Sequence, residues 1–386
     1  MVLSHDVIYP TIDTRVYKEA RSIVSHDYKV TIVCRTSDPN QLKSQKYEGI
    51  NIVRVLCKHP SLDINRFIRI FHNFNNVRKL SRKIVELQPD IIHCHDLNAL
   101  LEGALAARKL NVPLIYDCHE DWPLLEYAKN NNSMLLFLLT SIYENILLLR
   151  VSYKIMANPG QRRLLTPENS ILLLNCPFMD FMQEANAEQI RDKYNLHNKI
   201  VIIYHGIVGE LKGMLEIIGS AEELTKRYNN LRFLIVGNGY EPYLKVVKKK
   251  KLEKFFIFTG RVQYSEIPSF LKASDIDFAV LRPTKQYVLT TPTKIFEGML
   301  AGVPILGNAE FPGLVNIVEK YQTGILVKCD MDEIIYALDK LILDKKLRKK
   351  MGKTGKLLIK RKYTWEKQAE KLIKLYEKIC SNSNIT

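Results

Sequence analysis

The residues best suited to binding chemistry lie in the run Thr291-Pro292-Thr293-Lys294-Ile295-Phe296-Glu297-Gly298-Met299-Leu300-Ala301-Gly302-Val303-Pro304. Thr291 suits an N-cap and Pro292 the first helical position. This predicts a helix start whose unpaired N–H groups attract an anion such as a pyrophosphate. Lys294 places a cation in that first turn, which is unfavourable beside the positive helix end unless an anion sits nearby. Glu297 follows at i+3 on the same side, where a carboxylate can accept two hydrogen bonds from a ribose diol. The same pattern also describes an ordinary capped helix with a surface Lys–Glu pair.

A second candidate is His205-Gly206-Ile207-Val208-Gly209-Glu210-Leu211-Lys212-Gly213, placed after a strand and before a helix. Its glycines let the backbone approach a ligand, and Lys212 can reach phosphate oxygens at the turn. The run is neither G-x-G-x-x-G nor a Walker A loop, so nicotinamide or ATP chemistry gains no support. Taken alone it also reads as a plain strand-to-helix turn.

In the first half, Tyr116-Asp117-Cys118-His119-Glu120-Asp121 follows a strand and gathers polar side chains at its carboxyl end. His119 could orient a sugar hydroxyl or an acceptor, with Asp117 or Glu120 holding it. Helix capping by Glu120 or Asp121 beside a hydrogen-bonded histidine is the plainer reading. His93-Cys94-His95-Asp96 ends the preceding strand and puts two histidines on one face, but spacing supplies no third metal ligand. No metal site is assigned. Residues 64–85 carry Arg66, Arg69, Arg78, Lys79, Arg82 and Lys83 with no acidic residue, interleaved early with Phe67, Ile68, Ile70, Phe71 and Phe74. Such a segment suits an anionic leaflet, or a solvated helix face over a sheet.

Short β-branched runs alternate with amphipathic segments throughout, which positions all these residues at strand ends. Strands are expected at 2–4, 29–34, 50–56, 90–93, 113–117, 153–157 and 171–174, then at 199–205, 232–237, 255–260, 276–281, 303–307 and 324–327. Apolar strands separated by single helices imply parallel sheets covered on both faces, with ligands at the strand carboxyl ends. The polar stretch 183–198 reads as a link between two doubly wound α/β domains. We expect domain boundaries at 1–185, a linker at 186–198, and 199–363, with a C-terminal helix at 364–386 packing back on the first domain. The strand at 2–4 is so short that we expect the sequence to start inside it.

The 386 residues are 46% hydrophobic and 25% charged, which excludes a disordered or collagen-like chain. The formal charge of +16 is concentrated beyond residue 198, where 33 basic side chains meet 20 acidic ones. A basic half suggests phosphate-bearing partners. Seven scattered cysteines without a C-x-x-C pair fit reduced thiols in the cytoplasm. No signal peptide is visible at the start, and the greasy stretch 134–156 is broken by charges, which argues against a spanning helix.

Assembled in order, these pieces resemble the retaining B-type glycosyltransferases of family 4, the group 1 glycosyltransferases. The resemblance runs through Asp13-Thr14-Arg15-Val16 with Glu19-Ala20, Pro89-Asp90-Ile91-Ile92-His93, Asp117-Cys118-His119-Glu120 and Asn175-Cys176-Pro177. It continues through Gly206 to Gly213, Val236-Gly237-Asn238-Gly239, Phe258-Thr259-Gly260-Arg261-Val262, the 292–304 block and Tyr363-Thr364-Trp365. It implies a GT-B fold, in which two Rossmann-like domains with doubly wound parallel sheets face a central cleft. The implied reaction is metal-independent hexosyl transfer from a nucleotide-diphosphate sugar to a glycan or lipid-linked acceptor, with retention and without a cofactor.

By matching position, the resemblance makes His119, Lys212 and Glu297 catalytic. It assigns the donor to Gly206, Lys212, Gly237, Arg261, Val262, Thr291, Lys294 and Glu297, and the acceptor side to Asp13, Arg15, His95, Asp117 and Glu120. Two departures stand out: Leu289 where the family often has an acid, and Ile207 where it commonly has an arginine. The second leaves Lys294 or Arg282 to substitute. The expected setting is cell-surface polysaccharide assembly in the cytoplasm, with peripheral membrane contact through 64–85. A catalytically silent partner subunit and a nucleotide-sugar epimerase of the same fold share these features. Nucleic-acid binding has no recognisable module in the chain.

Overall fold

The computed structural model describes residues 1–5, 13–57, 66–130 and 132–383, with the backbone alone at 66–73, 162 and 383. The chain forms two compact units, 1–175 with 368–386 and 176–367.

The first unit runs α1 (Thr14–Val24), β1 (Thr31–Thr36), β2 (Ser44–Tyr47), β3 (Ile50–Leu56), α2 (Arg66–Glu86), β4 (Ile92–His95), α3 (Leu97–Leu110) and β5 (Leu114–Cys118). It continues through α4 (Trp122–Lys129), α5 (Met134–Leu148), β6 (Tyr153–Met156) and β7 (Ser170–Leu172). Strands β4, β5, β6 and β7 pair in parallel in that order. Strand β1 pairs in parallel with β3, and β2 adds an antiparallel edge to β3. The expected strand at 2–4 is reduced to a bridge at Val2, which pairs with both Val33 and Cys94 and so stitches β1 to β4. Strand β2 was not expected. Its turn has Glu48 at φ 45° and Gly49 at φ 81°, the left-handed pair that a two-residue hairpin needs.

Alternating burial is absent from β4 and β5, where every residue is buried. Leu80 and Ile84 of α2 and Leu97 and Leu100 of α3 share a buried cluster with Cys94, Leu114 and Tyr116 of these strands. Polar groups at their carboxyl ends, His95 and Asp117, therefore meet one another and not water.

The second unit contains α6 (Ala187–Lys193), β8 (Ile200–His205), α7 (Met214–Arg227), β9 (Leu231–Val236), α8 (Glu241–Lys249), β10 (Phe256–Gly260), α9 (Ile267–Lys272) and β11 (Ile276–Ala279). After these come α10 (Lys294–Ala301), β12 (Ile305–Asn308), α11 (Pro312–Leu314), β13 (Gly324–Val327), α12 (Met331–Leu343) and α13 (Lys345–Lys362). Its six strands are ordered β10-β9-β8-β11-β12-β13, with parallel pairing throughout. Order reverses at β8, beside β11, which is where a doubly wound sheet opens a crevice at its strand ends.

Two boundaries differ from expectation. The segment 186–198 is not a free linker: it holds α6, capped by Asn186, and its Ile190 and Leu196 are buried with Val201, Ile203 and Phe270. The second unit also begins at Cys176, ahead of the expected end at 185, because Phe178 meets Trp365 at 6.4 Å and Phe181 meets Tyr264 at 5.2 Å. The last helix, α14 (Trp365–Ser383), belongs to the first unit from Gln368 onward. There Gln368 accepts from the Leu174 N–H and Tyr376 bonds His93.

The turn carrying Lys212 is set by Gly213, at φ 84°, where a Cβ would lie 2.0 Å from the Val280 carbonyl oxygen. Gly213→Ala is expected to destabilise the second unit by about 3 kcal/mol through strain and clash. Gly209→Ala, whose Cβ finds only Lys212 Cγ at 3.7 Å, should stay within about 0.5 kcal/mol. Denaturant midpoints of the two variants measure the contrast.

Candidate active site

At the strand ends of the first unit, Arg15 is the organising charge. Asp13 caps α1 by accepting from the Arg15 and Val16 N–H groups, at 3.0 and 3.2 Å. That start aims the Arg15 guanidinium at Asp117 on β5, with Nε 3.0 Å from Oδ2 and Nη2 2.8 Å from Oδ1. Nη1 donates to the Leu173 carbonyl at 2.8 Å, and Nε also lies 3.1 Å from Glu19. Burial pushes the Asp117 carboxyl up, but Arg15 and His119 together hold it well below the usual range. Burial and the neighbouring Asp117 push the Glu19 carboxyl far up, with Arg15 opposing.

His119 sits above this group, its Nε2 3.0 Å from Asp117 Oδ2 and its Nδ1 3.4 Å from Asp96 Oδ2. Its N–H also donates to Asp96 at 3.0 Å, as does the Trp122 indole at 3.0 Å. Burial opposes its charge, but the two aspartates overcome that and raise its pKa from 6.5 to about 9. With both ring nitrogens engaged, His119 is a fixed cation at neutral pH, its side chain 17% exposed. His95 lies beneath it, Nδ1 3.2 Å from His119 Nε2, and stacks on His93 at 4.5 Å. Burial lowers the pKa of both lower histidines.

Glu19, His93, His95 and Asp117 place metal-ligand atoms within 4.8 Å of one another, a set that spacing along the chain did not announce. The Arg15 guanidinium stands among them and already faces both carboxylates. That charge supplies the compensation a cation would otherwise bring.

In the second unit, the loops after β8 and β9 are interlocked. Val208 N–H donates to the Asn238 carbonyl at 2.9 Å. Gly237, at φ 150°, approaches so closely that a Cβ would stand 1.8 Å from the Gly206 carbonyl oxygen. Beside them Glu297 is buried, accepting from the Tyr264 hydroxyl at 2.7 Å and lying 3.6 Å from His205 Nδ1. His205 Nε2 in turn lies 3.4 Å from Asp277 on β11. Burial and the Glu297 charge hold the Tyr264 proton firmly in place.

Two lysines here lack carboxylate contacts among the described residues and rest on aromatic rings. Lys294 Nζ stands 3.9 Å from the Tyr204 ring centroid and has no hydrogen-bond acceptor among the described residues. Lys212 Nζ stands 4.1 Å from the Tyr287 ring. Burial lowers the Lys294 pKa to about 8; Asp277 opposes the shift and Lys212 adds to it. Arg282 is different, since Glu216 at 2.7 Å and Glu210 at 2.5 Å neutralise it. Of the two candidate substitutes for an arginine at 207, Lys294 is therefore the one with spare charge. Ile207 itself is 69% exposed.

The expected helix start at Thr291 is corrected. Helix α10 begins at Lys294, with Thr293 before it in helical geometry and no side-chain cap. A short turn at Tyr287–Leu289 and an extended Thr290 delay the entry, and Thr291 is buried with Gly313 packed against it. Lys294 and Glu297 are consequently not a surface pair. Arg15, His95 and Asp117 are 3%, 2% and 0% exposed, so the expected acceptor role gives way to support of His119. Helix α4 is capped by Asp121 and not by Glu120, which is half-buried. Arg261 is exposed beside half-buried Val262, after β10. Sequence reasoning missed Tyr264, Asp277, Tyr204 and Tyr287, which lie outside the motifs that marked the other residues.

The family model for glycosyl transferases group 1 matches residues 186–358, and that for glycosyltransferase family 4 matches residues 12–167. The chain belongs to the group 1, family 4 glycosyltransferases. Among curated members, an alpha-D-kanosaminyltransferase of Streptomyces kanamyceticus is 27% identical over 52% of this chain and 52% of its own length. A GDP-mannose-dependent alpha-(1-6)-phosphatidylinositol monomannoside mannosyltransferase of Mycobacterium tuberculosis is 25% identical over 49% and 50%. The chain thus spans about half the length of these curated relatives. Sucrose-phosphate synthase from Thermosynechococcus elongatus shares the fold with TM-score 0.80 at 16% identity, covering 99% of this chain and 98% of that one. HepE of Anabaena in complex with UDP follows with TM-score 0.74 at 15% identity, covering 98% and 99%. The fold of this chain is GT-B.

The raised pKa of His119 has a stability consequence with a definite sign. Its native state holds a proton that the unfolded chain releases near pH 6.5, so its contribution is complete below that pH. It is lost as pH rises toward about 9. The difference in unfolding free energy between wild type and His119→Gln is expected to shrink over that window, by up to about 1.4 kcal/mol per pH unit. Paired denaturation curves across the window test it, and a pH-independent difference would contradict the assignment.

Proposed function

We propose that this glycosyltransferase moves a hexosyl group from a nucleotide-diphosphate sugar to a hydroxyl of a glycan or lipid-linked acceptor, with retention and without a metal or cofactor. The observation carrying this reading is the pair of lysines, Lys212 and Lys294, resting on tyrosine rings beside Glu297 without carboxylate contacts among the described residues. A diphosphate supplies the missing counter-charge, and its departure develops negative charge where the two ammonium groups stabilise it. Glu297 takes the ribose diol in place of the Tyr264 hydroxyl, Thr291 and the Gly206–Gly237 loops back the phosphates, and Arg261 and Val262 border the base. His119 of the first unit, a positive charge with its pKa raised to about 9, is carried over as a further catalytic residue by the family resemblance. In the transfer, the bond from the anomeric carbon to phosphate breaks as that to the acceptor oxygen forms on the same face. The acceptor proton passes to the leaving phosphate oxygen.

Supporting the donor class, related folds are known in complex with UDP and with UDP-glucose, and a curated relative is named for its dependence on GDP-mannose. All seven cysteines are free, in keeping with a reaction in the cytoplasm, where we also place polysaccharide assembly.

Thermal-shift and calorimetric titration with UDP, GDP, ADP and their sugars tests the reading. One nucleotide is expected to stabilise the protein, with binding weakened about tenfold or more by Lys212→Ala and by Lys294→Ala, as for a charge-assisted hydrogen bond of about 1.5–3 kcal/mol. Glu297→Ala should abolish transfer, and chelator should leave it unchanged. Absence of binding by every nucleotide would refute the proposal, while binding without transfer to any acceptor would favour a silent partner subunit.

A further inference from the structure

Helix α5 has its polarity reversed. Its inward side carries Glu144, which is 0% exposed, accepts from the Tyr116 hydroxyl at 2.9 Å and pairs with Arg163. Its outward side is aliphatic: Leu135, Leu138, Leu139, Ile142 and Ile146 are between 51% and 66% exposed, and Leu149 just beyond is 84% exposed. At 3.6 residues per turn these six positions fall within an arc of about 100°, which holds no ionisable side chain. A helix facing water has the opposite pattern, and a contiguous aliphatic face marks an interaction surface.

Neighbouring charges select the partner. Arg35, at the end of β1 and balanced by Glu102, interacts with Tyr143 of α5 and with the Cys57 thiol, which also interacts with Lys79 of α2. Lys79 reaches the Leu56 carbonyl at 3.3 Å, and α2 and α5 both pack against α3, which places them on the same side of the first unit. Arg78, Lys79 and Arg82 are exposed there, and no acidic residue occurs between 64 and 85. The earlier basic and aromatic residues, Arg66 to Phe71, have side chains outside the described ones. A bare aliphatic stripe bordered by cations complements a surface of acyl chains beneath anionic headgroups. No helix among the described residues is long and apolar enough to cross a membrane.

We propose that the outward face of α5, flanked by the cations of α2, docks this protein on an anionic lipid bilayer. The stripe enters the boundary between headgroups and acyl chains, and Arg78, Lys79 and Arg82 face lipid phosphates. This docking stands independently of the glycosyl-transfer reading, since it needs neither donor nor turnover.

Co-sedimentation of the full chain with phosphatidylcholine vesicles, with and without phosphatidylglycerol, tests it. Wild type is expected to pellet with the anionic vesicles. The double variant Leu138→Gln/Ile142→Gln should bind about tenfold more weakly or worse, with an unchanged thermal midpoint. Lys79→Gln should weaken binding about fivefold, as loss of one surface charge predicts. Leu138→Trp provides a second readout: on anionic vesicles containing brominated acyl chains, its added emission should be quenched. Wild type remaining in the supernatant would overturn the proposal. So would full binding by the double variant, unquenched indole emission from the Leu138→Trp variant, or a wild-type dimer that α5 substitution converts to monomer without affecting lipid binding.

Discussion

An ionisable side chain at the carboxyl end of a buried parallel strand is cut off from water on both faces of the sheet. It must then find its counter-charge among the other strand ends, or carry a shifted pKa. The first unit matches its charges around Asp117. Arg15 satisfies Asp117, the Asp96 and Asp117 charges raise the pKa of His119, and burial pushes the Glu19 carboxyl up, both its oxygens without a hydrogen-bond partner among the described residues. The second unit meets the constraint only in part. Asp277 keeps one carboxylate oxygen without a partner among the described residues, and Lys294 rests on a tyrosine ring where an acceptor would be expected. Matched charges, as between Arg15 and Asp117, make a rigid support. Partial compensation leaves a place shaped for an anion.

The backbone makes that place possible. Close approach of the loops after β8 and β9 depends on glycine at 237, and the turn that holds Lys212 depends on glycine at 213. Reversal of strand order beside β8 opens the sheet where these loops emerge, so chain topology and charge arrangement coincide. Aromatic rings complete the arrangement. Tyr204 and Tyr287 hold two ammonium groups through cation–π contact, an interaction weak enough to yield to a diphosphate.

Most of the architecture was legible because parallel strands buried on both faces have a plain signature. The runs at 200–205, 231–236 and 276–279 are mostly apolar, broken only by His205, Arg232 and Asp277. Less legible were features whose signal is not apolar. Strand β2 is polar and sits at an edge, announced only by its Glu48-Gly49 turn. The segment 186–198 looked like a linker because α6 is short and buries few residues, chiefly Ile190 and Leu196. Thr291-Pro292 carried a helix-start signal that the preceding turn overrode.

Local composition and order along the chain determined the fold class, the family, and Lys212, Glu297 and His119 as residues of interest. Such information resides in neighbours a few positions apart, where period, turn chemistry and motif spacing act. Tertiary structure alone decided which charges are spent and which are spare. Arg282 and Lys294 look equivalent in the sequence, yet Glu210 and Glu216 neutralise the first and nothing acidic among the described residues bonds the second. It also decided that Glu144 of α5 turns inward while leucines face out. Both outcomes follow from contacts between residues far apart in the chain, because counter-charge and burial depend on distance in space.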